Sequence, residues 1–324
     1  MLDSSELKEA KQYIGDILFK ESVSLAQISS WNTGGIAPLV FYPKSALELS
    51  LLIQFLRRKK KQYLIVGSTS NLLFDDRSPE YILVKNGPYI ANVTVGDKPN
   101  TLICDSGHSV PWLCYKLACR GLSGIEHCSG IPGTLGGLIY MNGGSMRRSL
   151  SENIEWVEIL DADGEVKRLS VEECGFSRRR SIFQAANDEM LILRTCLHFL
   201  KREPAQIKRE IFDIMKSRRA KFPLDQPNCG SVFVSDPKVY DELGPPGAII
   251  ERQGLKGVSY GGASISRKHA NFIVNDSDAK SSDILMLIKE IYDRVKQSTG
   301  HSLNSEVEFV DYQGKFHSAH LVNS

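Results

Sequence analysis

Glycine-rich loops are the part of this sequence best suited to chemistry. The densest runs Gly130-Ile131-Pro132-Gly133-Thr134-Leu135-Gly136-Gly137, then Leu138-Ile139-Tyr140-Met141-Asn142-Gly143-Gly144. Glycines let backbone N–H groups come close to a phosphate, and Pro132 fixes the turn. No G-x-G triplet occurs, which excludes a Rossmann fingerprint. No Gly-Lys-Ser/Thr follows, which excludes a P-loop. On glycine content alone the loop is either a pyrophosphate cradle or a structural corner. Gly67-Ser68-Thr69-Ser70-Asn71 offers hydroxyls and N–H groups to the same kind of anion, or is a plain strand–turn.

Single ionisable residues say less. Lys268-His269 could supply a base, or the histidine could be a hydrogen-bonded structural residue. His317 and His320 lie in a polar tail without a third ligand, so no metal site is expected. By spacing alone, Glu306 is a solvated carboxylate, Ser231 a turn serine and Arg178-Arg179-Arg180 a surface charge run. The seven cysteines are scattered and form no C-x-x-C, the pattern of reduced thiols in a cytoplasmic protein.

The elements that would position these residues can be read in outline. Leu7, Ala10, Ile14, Ile17 and Leu18 give residues 6–18 a helical spacing. Leu39 to Tyr42 reads as a strand, Ser45 and Glu48 as a capping box, and Tyr63 to Val66 as the next strand. Loops at the carboxyl ends of such strands are where ligands sit, which places Gly67 to Asn71 well. From Tyr81 to Phe199 the texture is short strands. Asn153–Leu160 and Glu165–Leu169 flank the hairpin signal Asp161-Ala162-Asp163-Gly164, and Met190–Phe199 is a further strand. At Lys201-Arg202-Glu203-Pro204 the chain turns polar and a basic helix follows from Gln206 to Arg219, which sets the expected boundary. A last helix, capped by Ser282 or Asp283 and ended by Gly300, precedes a strand from Glu306 to Val310.

Class follows from composition. The 324 residues suit about two domains. A 42% hydrophobic and 24% charged mix excludes a disordered chain, a collagen-like fibre and a small disulfide-stapled module. Lys+Arg 40 against Asp+Glu 38 leaves +2, too little net charge to favour nucleic acid or an anionic membrane. No apolar run approaches a membrane span, and the acidic, polar start is not a signal peptide.

Taken in order, the loops carry a resemblance. The series is Thr33-Gly34-Gly35-x-Ala37, Ser70-Asn71-Leu72-Leu73, the Gly130–Gly137 run, Met141-Asn142-x-Gly144 and Arg179-x-Ser181-x-Phe183. It continues with Gly230-Ser231-Val232-Phe233, Gly254-Leu255-Lys256-Gly257, Gly261-Gly262-Ala263, Lys268-His269-Ala270-Asn271-Phe272-Ile273-Val274-Asn275 and Glu306-Val307. From about Asn32 to Val310 this closely resembles the UDP-N-acetylenolpyruvoylglucosamine reductases, flavoenzymes of peptidoglycan precursor synthesis. The spacing between Arg179 and Ser231 resembles the form without an extra tyrosine-bearing loop.

The resemblance implies an α+β fold: a vanillyl-alcohol-oxidase-type FAD-binding fold in two subdomains, then an α+β substrate-binding domain. The expected division is an N-terminal helical extension over 1–30, an FAD-binding domain over 31–200, a substrate-binding domain over 201–312 and a polar tail over 313–324. It also implies non-covalent FAD, NADPH as co-substrate, and a cytoplasmic enzyme serving cell wall biogenesis, cell shape and cell division. Such an enzyme would be a monomer acting on a UDP-sugar, without nucleic acid, membrane or metal.

By motif position, Gly67, Ser68, Thr69, Ser70, Asn71, Gly130, Ile131, Pro132, Gly133, Thr134, Gly136 and Gly137 would hold the flavin. Arg218, Lys221, Lys268 and His269 would bind substrate, the first two at the UDP diphosphate. Hydride addition at the enolpyruvyl methylene would leave negative charge beside a carboxylate. Ser231 would then donate a proton, Arg179 would meet the carboxylate as a cation, and Glu306 would meet it as a protonated acid. The sequence departs from relatives at Ser68 and Thr69 in the first loop, and at Arg178, Ser145 and Phe222. The alternatives are an FAD-dependent oxidase of the same superfamily, with His127 as a covalent tether, and a non-catalytic flavin binder.

Overall fold

Ser45 and Glu48 open a helix as their spacing predicts. In the computed structural model, which describes residues 1–185 and 189–322, Ser45 Oγ accepts the Glu48 amide at 3.1 Å and the helix runs Ala46–Arg58. The return half of the box is shifted: Glu48 accepts from the Lys44 amide at 2.8 Å. Leu49, Leu52, Ile53, Phe55 and Leu56 face inward, so the apolar stripe is what docks the helix. The strand Tyr63–Val66 follows, and Val40 and Phe41 pair in parallel with Leu83 and Val84.

These elements belong to the first of two units, made of Met1–Phe19, Val40–Ser68 and Leu83–Arg218. Its larger sheet is antiparallel, in the order Val166–Ser170, Ile154–Leu160, Leu191–His198, Thr101–Asp105, Val93–Val95. The hairpin forms where Asp-Gly predicts it: Asp161 Oδ1 accepts the Glu165 amide at 2.8 Å, and Gly164 takes φ +83°. Two helices were not expected in this stretch, Val110–Cys119 and Leu135–Tyr140. Pro111 sits in the first turn of the former, where no amide is needed. Val110, Leu113, Cys114 and Leu117 are buried on one face of it.

The second unit takes Lys20–Leu39, Thr69–Ile82 and the chain from Arg219 onward. Its central strand, Glu308–Val310, pairs antiparallel with Phe316–Ser318 and parallel with Leu72–Phe74. A meander of Ser259–Tyr260, Ala263–Ile265 and Ile273–Asn275 lies in the same unit. The helix Ser281–Thr299 buries Ile284, Leu287, Ile288, Ile291 and Val295 in a core shared with Trp31, Leu73, Phe233 and Ile249. Each such side chain stabilises the unit by roughly 1.5–3 kcal/mol. Of the two expected caps, Asp283 takes part from inside the first turn, its carboxylate accepting the Lys280 amide at 2.9 Å, and Ser282 does not. The Ser281 and Ser282 amides donate to the Asp76 carboxylate at 2.9 and 3.3 Å.

The expected boundaries therefore move. The division near residue 201 lies instead between Arg218 and Arg219, because Ile207 and Ile211 of the helix Pro204–Lys221 pack into the first unit. Residues 20–39 and 69–82 belong with the second unit, since Trp31 and Leu73 are in its core. The expected helical extension over 1–30 is a helix only over Ser4–Ile14. Gly15 takes φ +106° after it, and Leu18–Ser24 is a strand. The expected polar tail over 313–324 contributes the strand Phe316–Ser318, and Ala319 is buried. The expected strand from Glu306 to Val310 begins at Glu308.

Candidate functional site

In the first unit the strand Tyr63–Val66 delivers Gly67 to a glycine floor. The Gly67 carbonyl accepts from Lys85 Nζ at 2.6 Å. A Cβ on Gly67 would collide with the Thr134 hydroxyl, so glycine is required for this approach. Thr134 in turn caps the helix Leu135–Tyr140, its hydroxyl accepting the Gly137 amide at 3.3 Å. The loop is laced to a second one: Leu135 N donates to His108 O at 2.8 Å, Gly136 N to Ser106 O at 2.7 Å and Val110 N to Gly133 O at 3.0 Å. A Cβ on Gly136 would stand 2.9 Å from Ser106 Cβ. The residues expected at Gly67, Ser68, Gly130, Ile131, Pro132, Gly133, Thr134, Gly136 and Gly137 all fall in this unit.

Around that floor, Asn86 Oδ1, Ser129 Oγ and both ring nitrogens of His108 are buried without a hydrogen-bond partner among the described residues. Unpaired buried polar atoms are costly, and a polar ligand that pairs them removes the cost. With the close glycine approach, this set fits the polar part of a flavin dinucleotide. His127, the alternative tether, is buried too, with its pKa pushed down first by that burial.

Two arginines adjoin the floor. A Cβ on Gly130 would collide with Arg218 Cδ, so the Arg218 side chain lies against the loop. Gly143 Cα faces Arg179, whose Nη1 would be 3.5 Å from a Cβ placed there. Burial pushes the Arg218 pKa down, and the positive charge of Arg179 pushes it further. Two guanidinium groups that repel each other in a half-buried place are relieved by an anion. Arg179 takes φ +57°, a left-handed conformation that costs a non-glycine residue energy. Lys85 was not expected from the sequence; burial lowers its pKa to about 8.

The second unit holds Ser231 and Glu306, and it brings them together. Phe233 forms an antiparallel bridge with Ser305, and the Glu306 amide donates to Val232 O at 2.7 Å. Asn71 Nδ2 donates to Glu306 O at 2.9 Å, so a residue of the first loop fixes the following peptide. Asn271 orders the serine segment. Its carbonyl accepts the Val232 amide at 2.9 Å, and its side chain exchanges hydrogen bonds of 2.9 and 3.0 Å with Phe233. Asn271 stood in a quoted motif without a role; only the fold reveals this one. Arg179 lies in the other unit, beside Arg218.

Other expected site residues are placed with less chemistry. Thr69, at φ +59°, turns its hydroxyl inward, accepting the Ser30 amide at 2.9 Å and facing Ile28 O. Lys268 Nζ donates to Arg219 O at 2.7 Å, and Lys221 is exposed. His269 packs edge-on against Phe222 and Phe272, with centroids 5.2 and 5.1 Å away, and its Nδ1 accepts the Asn271 amide at 3.3 Å. Burial pushes the His269 pKa down. The departure at Phe222 is thereby explained: its ring stacks on Phe272 at 5.0 Å. Among the described residues no group of His, Cys, Asp and Glu could hold a metal ion.

Comparison with known proteins places these features. Residues 37–170 match the family profile of an FAD binding domain, and residues 222–310 match the C-terminal domain of UDP-N-acetylenolpyruvoylglucosamine reductase. The chain is 39% identical over 319 residues to UDP-N-acetylenolpyruvoylglucosamine reductase 1 of Corynebacterium glutamicum, covering 98% of this chain and 94% of that one. It is 34% identical over 304 residues to the reductase of Caldanaerobacter subterraneus, covering 94% and 95%. The solved reductase of Thermus caldophilus superposes with a TM-score of 0.72 at 27% identity, over 90% of this chain and 98% of that one. The fold is accordingly an α+β FAD-binding fold with a further α+β domain.

Proposed function

Because the chain belongs to the UDP-N-acetylenolpyruvoylglucosamine reductase family, we propose that it reduces UDP-N-acetylglucosamine enolpyruvate to UDP-N-acetylmuramate with FAD and NADPH, in peptidoglycan synthesis. Bound FAD supplies two-electron transfer from NADPH to the enolpyruvyl double bond. The observation that carries the reading is the pairing of the Ser231 segment with Glu306.

The rest is work for side chains. Reduction of the double bond puts negative charge on the carbon beside the substrate carboxylate. Ser231 Oγ gives that carbon its proton. Glu306 hydrogen-bonds the carboxylate from a protonated carboxyl, and Arg179 offsets its charge. Arg218, Lys221, Lys268 and His269 bind the substrate, the first two at its diphosphate. Gly67, Ser68, Ser70, Asn71 and the Gly130–Gly137 loop would hold the cofactor.

The enzyme acts in the cytoplasm as a monomer, and through the cell wall it serves cell shape and division. The seven cysteines are free, which suits a reducing compartment. Among the described residues, no helix is long and apolar enough to cross a membrane.

The test is anaerobic. NADPH should bleach the yellow protein, and the enolpyruvyl substrate should restore the colour at once. A flavin that stays bleached after substrate is added, or that only oxygen restores, removes the reductase reading.

A further inference from the structure

The residues after Asp311 lie outside every motif of the proposed reaction, yet the turn Ala319–Leu321 grips both neighbours of Glu306. The Ala319 amide donates to Val307 O at 3.4 Å. On the other side the His320 ring takes Ser305: the Ser305 amide donates to Nδ1 at 3.1 Å, and the Ser305 hydroxyl lies 2.9 Å from the same nitrogen. The His320 amide returns to Ser305 Oγ at 3.4 Å. An amide can only donate, so Nδ1 carries no proton and the neutral ring is protonated at Nε2. Burial lowers the His320 pKa, which favours that neutral ring. The ring is seated 5.1 Å from the Tyr292 ring, and Ala319 is 1% exposed.

Glu306 is held at the same time through its own amide and carbonyl, by Val232 O and by the Asn71 side chain. We propose that His320 is a positioning residue for the Glu306 carboxyl, its Nδ1 fixing the Ser305 peptide from which Glu306 is aimed at the enolpyruvyl carboxylate. The inference rests on the reading of Glu306 given above. It makes the C-terminal turn part of the site without contact to substrate. Misplacing a catalytic group by about 1 Å costs on the order of 100-fold in rate, and the loss falls on the step that needs the group.

The discriminating pair is His320→Asn and His320→Gln in the full-length, FAD-loaded enzyme. Asparagine Oδ1 takes the place of Nδ1, whereas glutamine Oε1 takes the place of Nε2 and leaves the Ser305 amide without its acceptor. In anaerobic stopped flow, both variants should be reduced by NADPH within about twofold of the parent. Reoxidation by the enolpyruvyl substrate should be near parental for His320→Asn and slower by roughly tenfold or more for His320→Gln. Equal rates for the two variants, fast or slow, overturn the proposal, as does an equal loss in both half-reactions. Glu306→Gln serves as the control. If it reoxidises slowly while both His320 variants match the parent, the positioning role alone falls; if it reoxidises at the parental rate, the reading of Glu306 falls and takes the positioning role with it.

Discussion

Ser231 sits one residue from the peptide that receives the Glu306 amide, so its replacement tests chemistry with little disturbance of backbone. Ser231→Ala should leave reduction by NADPH almost unchanged and slow reoxidation by the enolpyruvyl substrate by about 10²–10⁴-fold, the scale of a lost general acid. Equal loss in both half-reactions would give the serine a binding role instead. Gly67→Ala should expel the cofactor, because the added methyl meets the Thr134 hydroxyl; the flavin-to-protein absorbance ratio after gel filtration reads this directly. Lys85 makes a prediction about pH. Its pKa falls from 10.5 to about 8 on folding, through burial. Below pH 8 the folded state carries the full cost of a buried ammonium, and that cost fades as pH rises from 8 toward 10.5, where the unfolded chain also loses its proton. Lys85→Met should therefore stabilise the apoprotein by about 2 kcal/mol at pH 7, after the lost bond to Gly67 O. In urea titrations the advantage should shrink through that window. A gap that does not change with pH would remove the charge from the explanation.

At the scale of elements, what the sequence made legible was local. Ser45 with Glu48, Asp163-Gly164 and the stripe from Ile284 to Val295 each carry their instruction within one turn or one face, and each formed where expected. What escaped was long-range. Asp76 caps a helix that begins 205 residues later, a pairing no window of sequence contains. Asn271 and His320 act on serine and glutamate segments they meet only after folding. The Val110–Cys119 helix was hidden for a different reason: its proline, tryptophan and cysteines resemble strand and turn composition, and only their spacing is helical. Asp76→Ala should cost about 1–2 kcal/mol, the value of a lost helix cap with its favourable charge. Hydrogen exchange should locate the loss at the first turn of Ser281–Thr299, and unchanged protection there would assign the cap elsewhere.

At the scale of the whole molecule, each compact unit is assembled from segments far apart in the sequence. The boundary expected at residue 201 was read from a shift in composition, which marks solvent exposure and not which core a helix serves. A fragment beginning at Arg219 lacks Trp31, Leu73 and the strand Leu72–Phe74, all parts of its core or central sheet. It should show no cooperative urea transition by near-ultraviolet circular dichroism, whereas the full chain should. A sharp transition in the fragment would mean that the early segments only decorate a self-sufficient core.

The parallel pairing of Leu72–Phe74 with Glu308–Val310 has a consequence during synthesis. As the ribosome extends the chain, the strand near residue 72 emerges early and finds no partner until Glu308–Val310 has been made. Its edge, and the indole of Trp31, must wait in the open through most of translation. The nascent polypeptide is thus open to wrong pairing in a region whose mature form buries Trp31, Leu73 and Phe74 completely.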